Sequence, residues 1–113
     1  MLTYPYEIDY YVTGQGNKLF KDWLEGLRDV RGRAKIRVRL DRVRLGNLGD
    51  HRPLRAGVQE LHIAFGPGYR VYFGIEGKHV ILLLLGGDKS SQARDIARAK
   101  KYWQDHQRRS AHD

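Results

Sequence analysis

The chain has 113 residues, enough for one domain with one core, and 41% of them are hydrophobic, which excludes global disorder. It carries 21 Lys and Arg against 13 Asp and Glu, and this net charge of +8 predicts a polyanionic partner. The sequence has no cysteine, so disulfides and thiolate metal sites are excluded, and its five histidines lack zinc-motif spacing. No leader-like segment or long apolar run is present, so we expect a cytoplasmic protein without membrane contact, metal or cofactor.

The first half of the chain predicts one strand and two helices. Residues 4–12 are rich in Tyr, Ile and Val and precede a Gly-containing turn, which is typical of a strand. Residues 17–27 carry apolar side chains at the spacing of one helix face. Residues 34–45 fit either a strand or a helix, and we favour a helix because the segment is long, rich in Arg and followed by Gly46 and Gly49.

The second half predicts three strands and a final helix. The runs 58–65, 69–76 and 79–85 are separated by short Gly-containing junctions, which indicates an antiparallel meander with an apolar third strand at its centre. Ser90 or Ser91 is positioned to cap an amphipathic helix, and residues 109–113 are expected to fray. The order β-α-α-β-β-β-α predicts a single α+β domain with a small, mainly antiparallel sheet.

Most of the surplus charge lies between Arg28 and Arg55, a stretch with ten basic and three acidic residues. It forms either a solvated helix face, a surface that follows a phosphate backbone, or a docking surface for an acidic protein. The candidate nucleic-acid-binding residues are Arg33, Arg37, Arg44, Arg52, Arg55 and, in the final helix, Arg94.

Strand alternation and hairpin geometry bring candidate chemical residues to one surface of the meander. On the second strand, Arg70 and Tyr72 alternate with core-facing apolar residues. A three-residue loop that pairs Phe65 with Tyr69 would place His62 opposite Tyr72 and Ala64 opposite Arg70. Glu60 would then share the surface with these side chains.

A second hairpin predicts a cationic cluster at one rim of the sheet. Pairing of Glu76 with His79 would bring Arg70 level with Leu85, beside Lys89 and the start of the final helix, where Arg94 adds charge. Such a cluster suits a phosphate. The alternatives are a structural ion pair of Arg70 with Glu60 or Glu76, an exposed or structural His62, and a solvated Lys89. Trp23, Phe20 and Trp103 are expected in the core.

Three runs of sequence resemble the RelE/HigB-like toxins of the RelE/ParE superfamily, in its phage-derived, "addiction module killer protein" branch. The runs are QELHIAF at 59–65, GPGYRVYF at 66–73 and LLLLGGDKSSQARDIARAKKYW at 82–103. The resemblance spans roughly the whole chain. It implies a small sheet with two N-terminal helices and a C-terminal helix. It also implies a type II toxin that cuts translated messenger RNA on the ribosome without a metal ion.

The resemblance also implies residue roles. Arg70 matches the strand arginine that holds the scissile phosphate, and Lys89 lies where relatives place a second basic residue. His62, or else Glu60, lies where relatives supply a group for proton transfer. Some members carry a tyrosine or histidine near the start of the final helix, where this chain has Arg94 and Asp95, and Tyr72 is a possible substitute.

This departure keeps two alternatives open: a ParE-like inhibitor of DNA gyrase, and a catalytically inactive binding module. The resemblance further implies partners. These are a helix-turn-helix (HigA-like) antitoxin, the ribosome with its messenger RNA, and operator DNA contacted through the antitoxin complex.

Overall fold

A mixed sheet of five strands lies between two helices on one face and one long helix on the other. The computed structural model describes residues 4–111. The elements are β1 (Glu7–Tyr10), α1 (Leu19–Gly26), α2 (Val30–Arg44), β2 (His51–Pro53), β3 (Val58–Ile63), β4 (Tyr69–Glu76), β5 (Val80–Asp88) and, after a 3₁₀ turn (Lys89–Ser91), α3 (Gln92–Ser110).

The sheet has the order β1-β5-β4-β3-β2. Strands β3, β4 and β5 form the predicted antiparallel meander, while β1 lies parallel to β5 at the opposite edge from β2. Strand β5 is buried along most of its length between β1 and β4, because its apolar residues face helices on both sides. The α+β class predicted from the sequence is therefore confirmed. No helix within residues 4–111 has the length and hydropathy needed to cross a bilayer.

Strand β2 was absent from the predicted element order. It pairs antiparallel with β3, and its three residues are all exposed. The segment consists of His51, Arg52 and Pro53, which show no alternation of apolar and polar residues. Its extended conformation therefore depends on pairing with β3.

Helix α3 continues to Ser110, into the segment expected to fray. The side chain of Arg109 contacts its end, donating to the backbone oxygen of Val12 and pairing with Asp105 at 2.7 Å. The fraying of residues 109–113 stays a prediction. Residues 112 and 113 of that prediction lie outside the described part of the chain.

The register predicted for the first hairpin is wrong by two residues. Tyr69 pairs with Ile63 instead of Phe65, so Arg70 lies opposite His62 and not opposite Ala64. The loop is longer than expected, because Phe65 and Gly68 take part in local turns: the Phe65 amide donates to Ile63 and the Gly68 amide to Phe65. Tyr72 consequently lies opposite Glu60.

The register of the second hairpin is also corrected. Glu76 pairs with Val80 instead of His79, and a bulge between Tyr72 and Phe73 adds one further residue. Arg70 therefore lies opposite Gly87, two positions beyond the predicted Leu85 and nearer to Lys89. Bulges leave no clear trace in an apolar pattern, so this shift was not predictable from alternation alone.

Each face of the sheet has its own apolar core. The core under α1 and α2 contains Phe20, Leu24, Ile36, Leu40, Val43, Leu61, Ile63, Tyr69, Val71, Phe73, Ile81 and Leu83. The core under α3 contains Tyr11, Val58, Tyr72, Leu82, Leu84, Leu85, Ala99 and Trp103. A Cβ at Gly86 would lie 2.2 Å from Trp23, and one at Gly74 2.4 Å from Trp103, so glycine lets each indole lie against a strand.

Helix α2 begins at Val30, four residues before the predicted start, because Asp29 caps it. The Asp29 carboxylate accepts from the Gly32 amide at 2.9 Å and from the Tyr69 hydroxyl at 2.7 Å. These bonds hold the pKa of Asp29 below its ordinary value, and the bond from Gly32 has the larger effect. Burial, with help from the Asp29 bond, raises the pKa of Tyr69 to about 12.

A second tyrosine–carboxylate bond attaches α3 to the chain that follows β1. The Tyr11 hydroxyl donates to the Asp105 carboxylate at 2.6 Å. Burial, followed by this hydrogen bond, raises the pKa of Tyr11 to about 12, and the same bond is the main cause that lowers the pKa of Asp105.

Candidate functional site

A polar cleft of about 320 Å³ opens where β2, β3 and β4 meet the start of α3. Its lining residues are Asp50, His51, Arg52, Glu60, His62, Arg70 and Gln92. Four of them, Arg52, Glu60, His62 and Arg70, were predicted site residues. Despite the wrong registers, these four come together because the register errors did not change which face of the sheet each side chain occupies.

The imidazole of His62 is paired with a carboxylate that the sequence did not predict. Its Nδ1 lies 2.9 Å from Oδ2 of Asp50, and the His62 amide donates to the Asp50 backbone oxygen at 3.0 Å. Because a carboxylate only accepts hydrogen bonds, Nδ1 must carry the proton, which leaves Nε2 as the basic nitrogen. A histidine oriented in this way is suited to proton transfer.

Helix α2 supports this pair through Arg39. The Arg39 guanidinium donates to three backbone oxygens: those of His62 at 2.8 Å, Leu48 at 2.9 Å and Asp50 at 2.6 Å. Burial is the main cause that lowers the pKa of Arg39, although an arginine remains charged at neutral pH. Its position beside the apolar stripe of α2 is the only signal that the sequence offered for this role.

A second polar group in the cleft is centred on Glu60, which is 3% exposed. Its Oε1 lies 3.0 Å from Nε of Arg52, and its Oε2 accepts from the Gln92 amide at 3.0 Å. Both carboxylate oxygens are therefore engaged. Of the two residues proposed for proton transfer, His62 retains a free basic atom and Glu60 does not, so the geometry favours His62.

Tyr72 lies behind Glu60 and is fully buried. Among the described residues its hydroxyl makes no hydrogen bond of normal geometry, although the Glu60 carboxylate lies close enough to act on it. Burial, then the negative charges of Glu60 and Asp95, raise its pKa above the ordinary value. Tyr72 is therefore a neutral phenol away from solvent, and this position disfavours its prediction as a substitute acid.

Arg70 is available for an anion. Its Nη1 donates to the backbone oxygen of Gly68 at 2.6 Å, and its buried Nε has no partner in the described part of the chain. Among residues 4–111, no carboxylate lies within 4.0 Å of its guanidinium, so the alternative ion pairs with Glu60 and Glu76 are absent. Nη2 makes no hydrogen bond among the described residues and is the donor that remains for a phosphate, whereas Nε is buried.

Lys89 lies near Arg70, as the sequence predicted, although through a different register. A Cβ built on Gly68 would lie 2.9 Å from Arg70 Nη1 and 3.8 Å from Lys89 Cβ, so this glycine lies between the two cationic residues. Lys89 is exposed and begins the 3₁₀ turn. Arg94 is separate: its side chain is 72% exposed, lies 3.8 Å from Asp95 and does not line the cleft.

Most of the other predicted nucleic-acid-binding residues lie away from the cleft. Arg33 donates to the backbone oxygen of Leu27, and Arg44 pairs with Asp41 at 3.3 Å on the exposed side of α2. Arg37 is exposed on the same helix, and Arg55 lies in the turn after β2 with a φ of 72°. Arg52 alone among the predicted arginines of this class lines the cleft.

Asp50, His51 and Gln92 were missed by sequence reasoning. His51 also lines the cleft, and its Nδ1 lies 2.8 Å from the backbone oxygen of Gly49, so Nδ1 donates and Nε2 is free. Predicting Asp50 and His51 required strand β2, which had no pattern of its own. Within residues 4–111, no three His, Asp or Glu side chains gather as a metal site would need.

The chain is similar to a known protein over most of its length. The chain is 44% identical over 81 residues to an uncharacterized protein of Haemophilus influenzae, and the match covers 72% of this chain and 82% of that protein. The chain belongs to the same family. No family model matches the chain, so the function is argued from the geometry of the cleft.

Proposed function

We propose that the chain is the toxin of a type II toxin–antitoxin system and that it cleaves messenger RNA on the ribosome without a metal ion. The observation that carries this proposal is the cleft itself. There, the carboxylate-oriented imidazole of His62 lies on the strand next to Arg70, whose guanidinium has no carboxylate within 4.0 Å among residues 4–111. A base next to a free cation is the pair of groups that RNA transesterification requires.

In the proposed reaction, the 2′-oxygen of one ribose attacks the adjacent phosphorus and loses its proton to Nε2 of His62. The bond from phosphorus to the 5′-oxygen breaks, and that oxygen leaves with a proton. The products are a 2′,3′-cyclic phosphate and a 5′-hydroxyl. Arg70, with Lys89 beside it, stabilises the negative charge that develops on the phosphate oxygens. His51 is the second imidazole in the cleft, and as the doubly protonated imidazolium it delivers the proton of Nε2 to the leaving oxygen while Nδ1 keeps its bond to Gly49.

The proposal includes the cellular setting that the RelE/HigB resemblance implies. The protein acts in the cytoplasm, where its net charge of +8 favours association with the ribosome and its RNA. A helix-turn-helix antitoxin neutralises it, and the complex contacts operator DNA through the antitoxin.

The test is induction of the chain alone, followed by mapping of the 5′ ends of cellular transcripts. We expect new ends within translated frames. Arg70→Ala should reduce them about 100-fold or more, the usual effect of losing a group that stabilises transition-state charge. Arg28→Ala is the matched control, because Arg28 is exposed, lies outside the cleft and is not among the candidate nucleic-acid-binding residues. The control should cut like the unmodified chain.

Two outcomes would overturn the proposal. Growth arrest with intact transcripts, together with loss of gyrase supercoiling in vitro, would instead indicate a ParE-like gyrase inhibitor. Unimpaired growth with intact transcripts would indicate a module that only binds its partner.

A further inference from the structure

A second concave surface lies between α2 and the residues that follow β3. It encloses about 570 Å³ and has no lining residue in common with the polar cleft. Its lining includes three cationic residues, Arg31, Lys35 and Arg42, which we call the rim, and three apolar residues, Val38, Ala64 and Phe65, which we call the floor. We call this surface the α2 groove.

In the described part of the chain, the cationic side chains of the α2 groove form no close ion pair. Arg31, Lys35 and Arg42 are exposed, no carboxylate of residues 4–111 lies within 4.0 Å of them, and the lining contains no Asp or Glu. Their spacing of four and then seven residues places them along one stripe of the helix. From Arg31 to Arg42 this stripe extends about 16 Å, the length of three helical turns.

The floor of the groove is apolar and open to solvent. Val38 is 49% exposed, Ala64 is exposed, and Phe65 is half-buried with the Lys35 ammonium 5.6 Å from its ring centroid. A surface that only follows phosphates needs cations and polar donors, and it gains nothing from an exposed valine on the floor. An apolar floor with a cationic rim is instead complementary to a helix that has an apolar stripe flanked by carboxylates.

We propose that the α2 groove binds an acidic amphipathic helix of about three turns from a partner protein. Identification of this partner with the antitoxin rests on the proposed function, whereas the docking surface itself does not. The groove and the cleft are connected by shared structural elements, namely Arg39 of α2 and strand β3. Arg39 lines the groove and donates to the backbone of His62 and Asp50, and Ile63 follows His62 directly.

The probe is a synthetic helical peptide with Leu at every third or fourth position and Glu on both sides of that stripe. Its binding to the full-length Arg70→Ala protein is measured by fluorescence anisotropy, so that cleavage chemistry does not interfere. A triple variant carries Arg31→Gln, Lys35→Gln and Arg42→Gln. The matched control carries Arg28→Gln, Lys78→Gln and Lys101→Gln, which removes the same charge from exposed residues outside the groove.

We expect the groove triple variant to bind the peptide about tenfold more weakly, while the control triple variant stays within about twofold. Val38→Gln should weaken binding about fivefold, because it places an amide on the apolar floor. Thermal unfolding of all variants checks that they remain folded. A peptide in which every Glu is replaced by Gln should bind about as weakly as the groove triple variant binds the acidic one.

Equal losses in the two triple variants, or equal binding of the Glu and Gln peptides, would overturn the proposal. So would groove-dependent binding of a single-stranded RNA oligonucleotide without binding of the acidic peptide. The nuclease proposal is tested separately: peptide binding without transcript cleavage would leave the groove assignment standing and remove the nuclease. Transcript cleavage without peptide binding would support the nuclease and remove the groove assignment.

Discussion

The two faces of the sheet are covered in different ways. The face under α1 and α2 is closed by apolar side chains from both helices and three strands. The face under α3 has a smaller apolar core and also buries the carboxylates of Glu60 and Asp95, 3% and 2% exposed. It contains the unpaired hydroxyl of Tyr72 as well. The larger apolar core thus lies on one face, while the buried carboxylates lie on the other face, which also carries the cleft.

Removal of apolar volume under α2 should have the largest effect on stability. Ile36 is fully buried, so Ile36→Ala should lower the free energy of unfolding by about 2–5 kcal/mol. The control is Val38→Ala on the same helix, where the side chain is 49% exposed and the change should stay within about 0.5 kcal/mol. Urea unfolding measures both. Similar losses for the two variants would contradict the burial of Ile36 in the core under α2.

Arg39→Ala tests the connection between the two faces. The change removes three hydrogen bonds from a charged group to the backbone around Asp50 and His62, and should cost about 1.5–3 kcal/mol. Arg42→Ala is the control, since Arg42 is exposed on the same helix. If the nuclease proposal holds, transcript cleavage by Arg39→Ala should also fall at temperatures where the variant is folded. Full cleavage by a destabilised variant would limit Arg39 to a structural role.

Two tyrosines of β4 provide a comparison with opposite expected signs. Tyr69→Phe removes the hydrogen bond to Asp29 on the α2 face and should lower the free energy of unfolding by about 1 kcal/mol. Tyr72→Phe removes an unpartnered buried hydroxyl from the α3 face and should be neutral or stabilising by up to about 1 kcal/mol. Chemical denaturation of both variants checks the signs. A clear loss for Tyr72→Phe would mean that its hydroxyl is bonded in solution.

The smallest expected effect is a pH dependence shared by both faces. The pKa values of Asp29 and Asp105 lie below the ordinary 3.8, so their stabilisation is present above that pH and lost as pH falls through the lowered values. The pKa values of Tyr11 and Tyr69 are raised to about 12, so their contribution is complete below 10.0 and lost as pH rises toward 12.

Urea unfolding between about pH 3 and pH 11 measures this dependence. Unmodified protein should be most stable in the middle of the range. The double variant with Tyr11→Phe and Tyr69→Phe should lose less stability toward high pH than the unmodified protein. Parallel curves for the two proteins would assign the alkaline loss to other groups.

Much of the fold was predictable because most elements carry a strong pattern. The apolar run of β5 and the Gly-containing junctions of the meander predict that part of the sheet, and both are confirmed. Strand β2 and the bulge after Tyr72 were not predictable, because they depend on a neighbouring strand rather than on their own residues.

The candidate site was predictable in part, because the strands that carry it have a clear alternation of side chains. Alternation along β3 and β4 assigned Glu60, His62 and Arg70 to one face, and a register error of two residues preserves that assignment. The partners of these residues were not predictable. Asp50 reaches His62 only because β2 forms, and Gln92 reaches Glu60 only because α3 crosses the sheet at that point.

The parallel pairing of β1 with β5 has a consequence for synthesis of the chain. Glu7 of β1 pairs with Val80 of β5, so β1 leaves the ribosome long before its partner exists. The two early helices emerge next, without the strands that their apolar faces cover. Because such distant contacts form late and slowly, we expect the nascent chain to remain open until β5 and α3 are complete. Every residue of the polar cleft is translated after both helices, and the last of them, Gln92, begins α3, so the cleft cannot assemble before the start of that helix has been made.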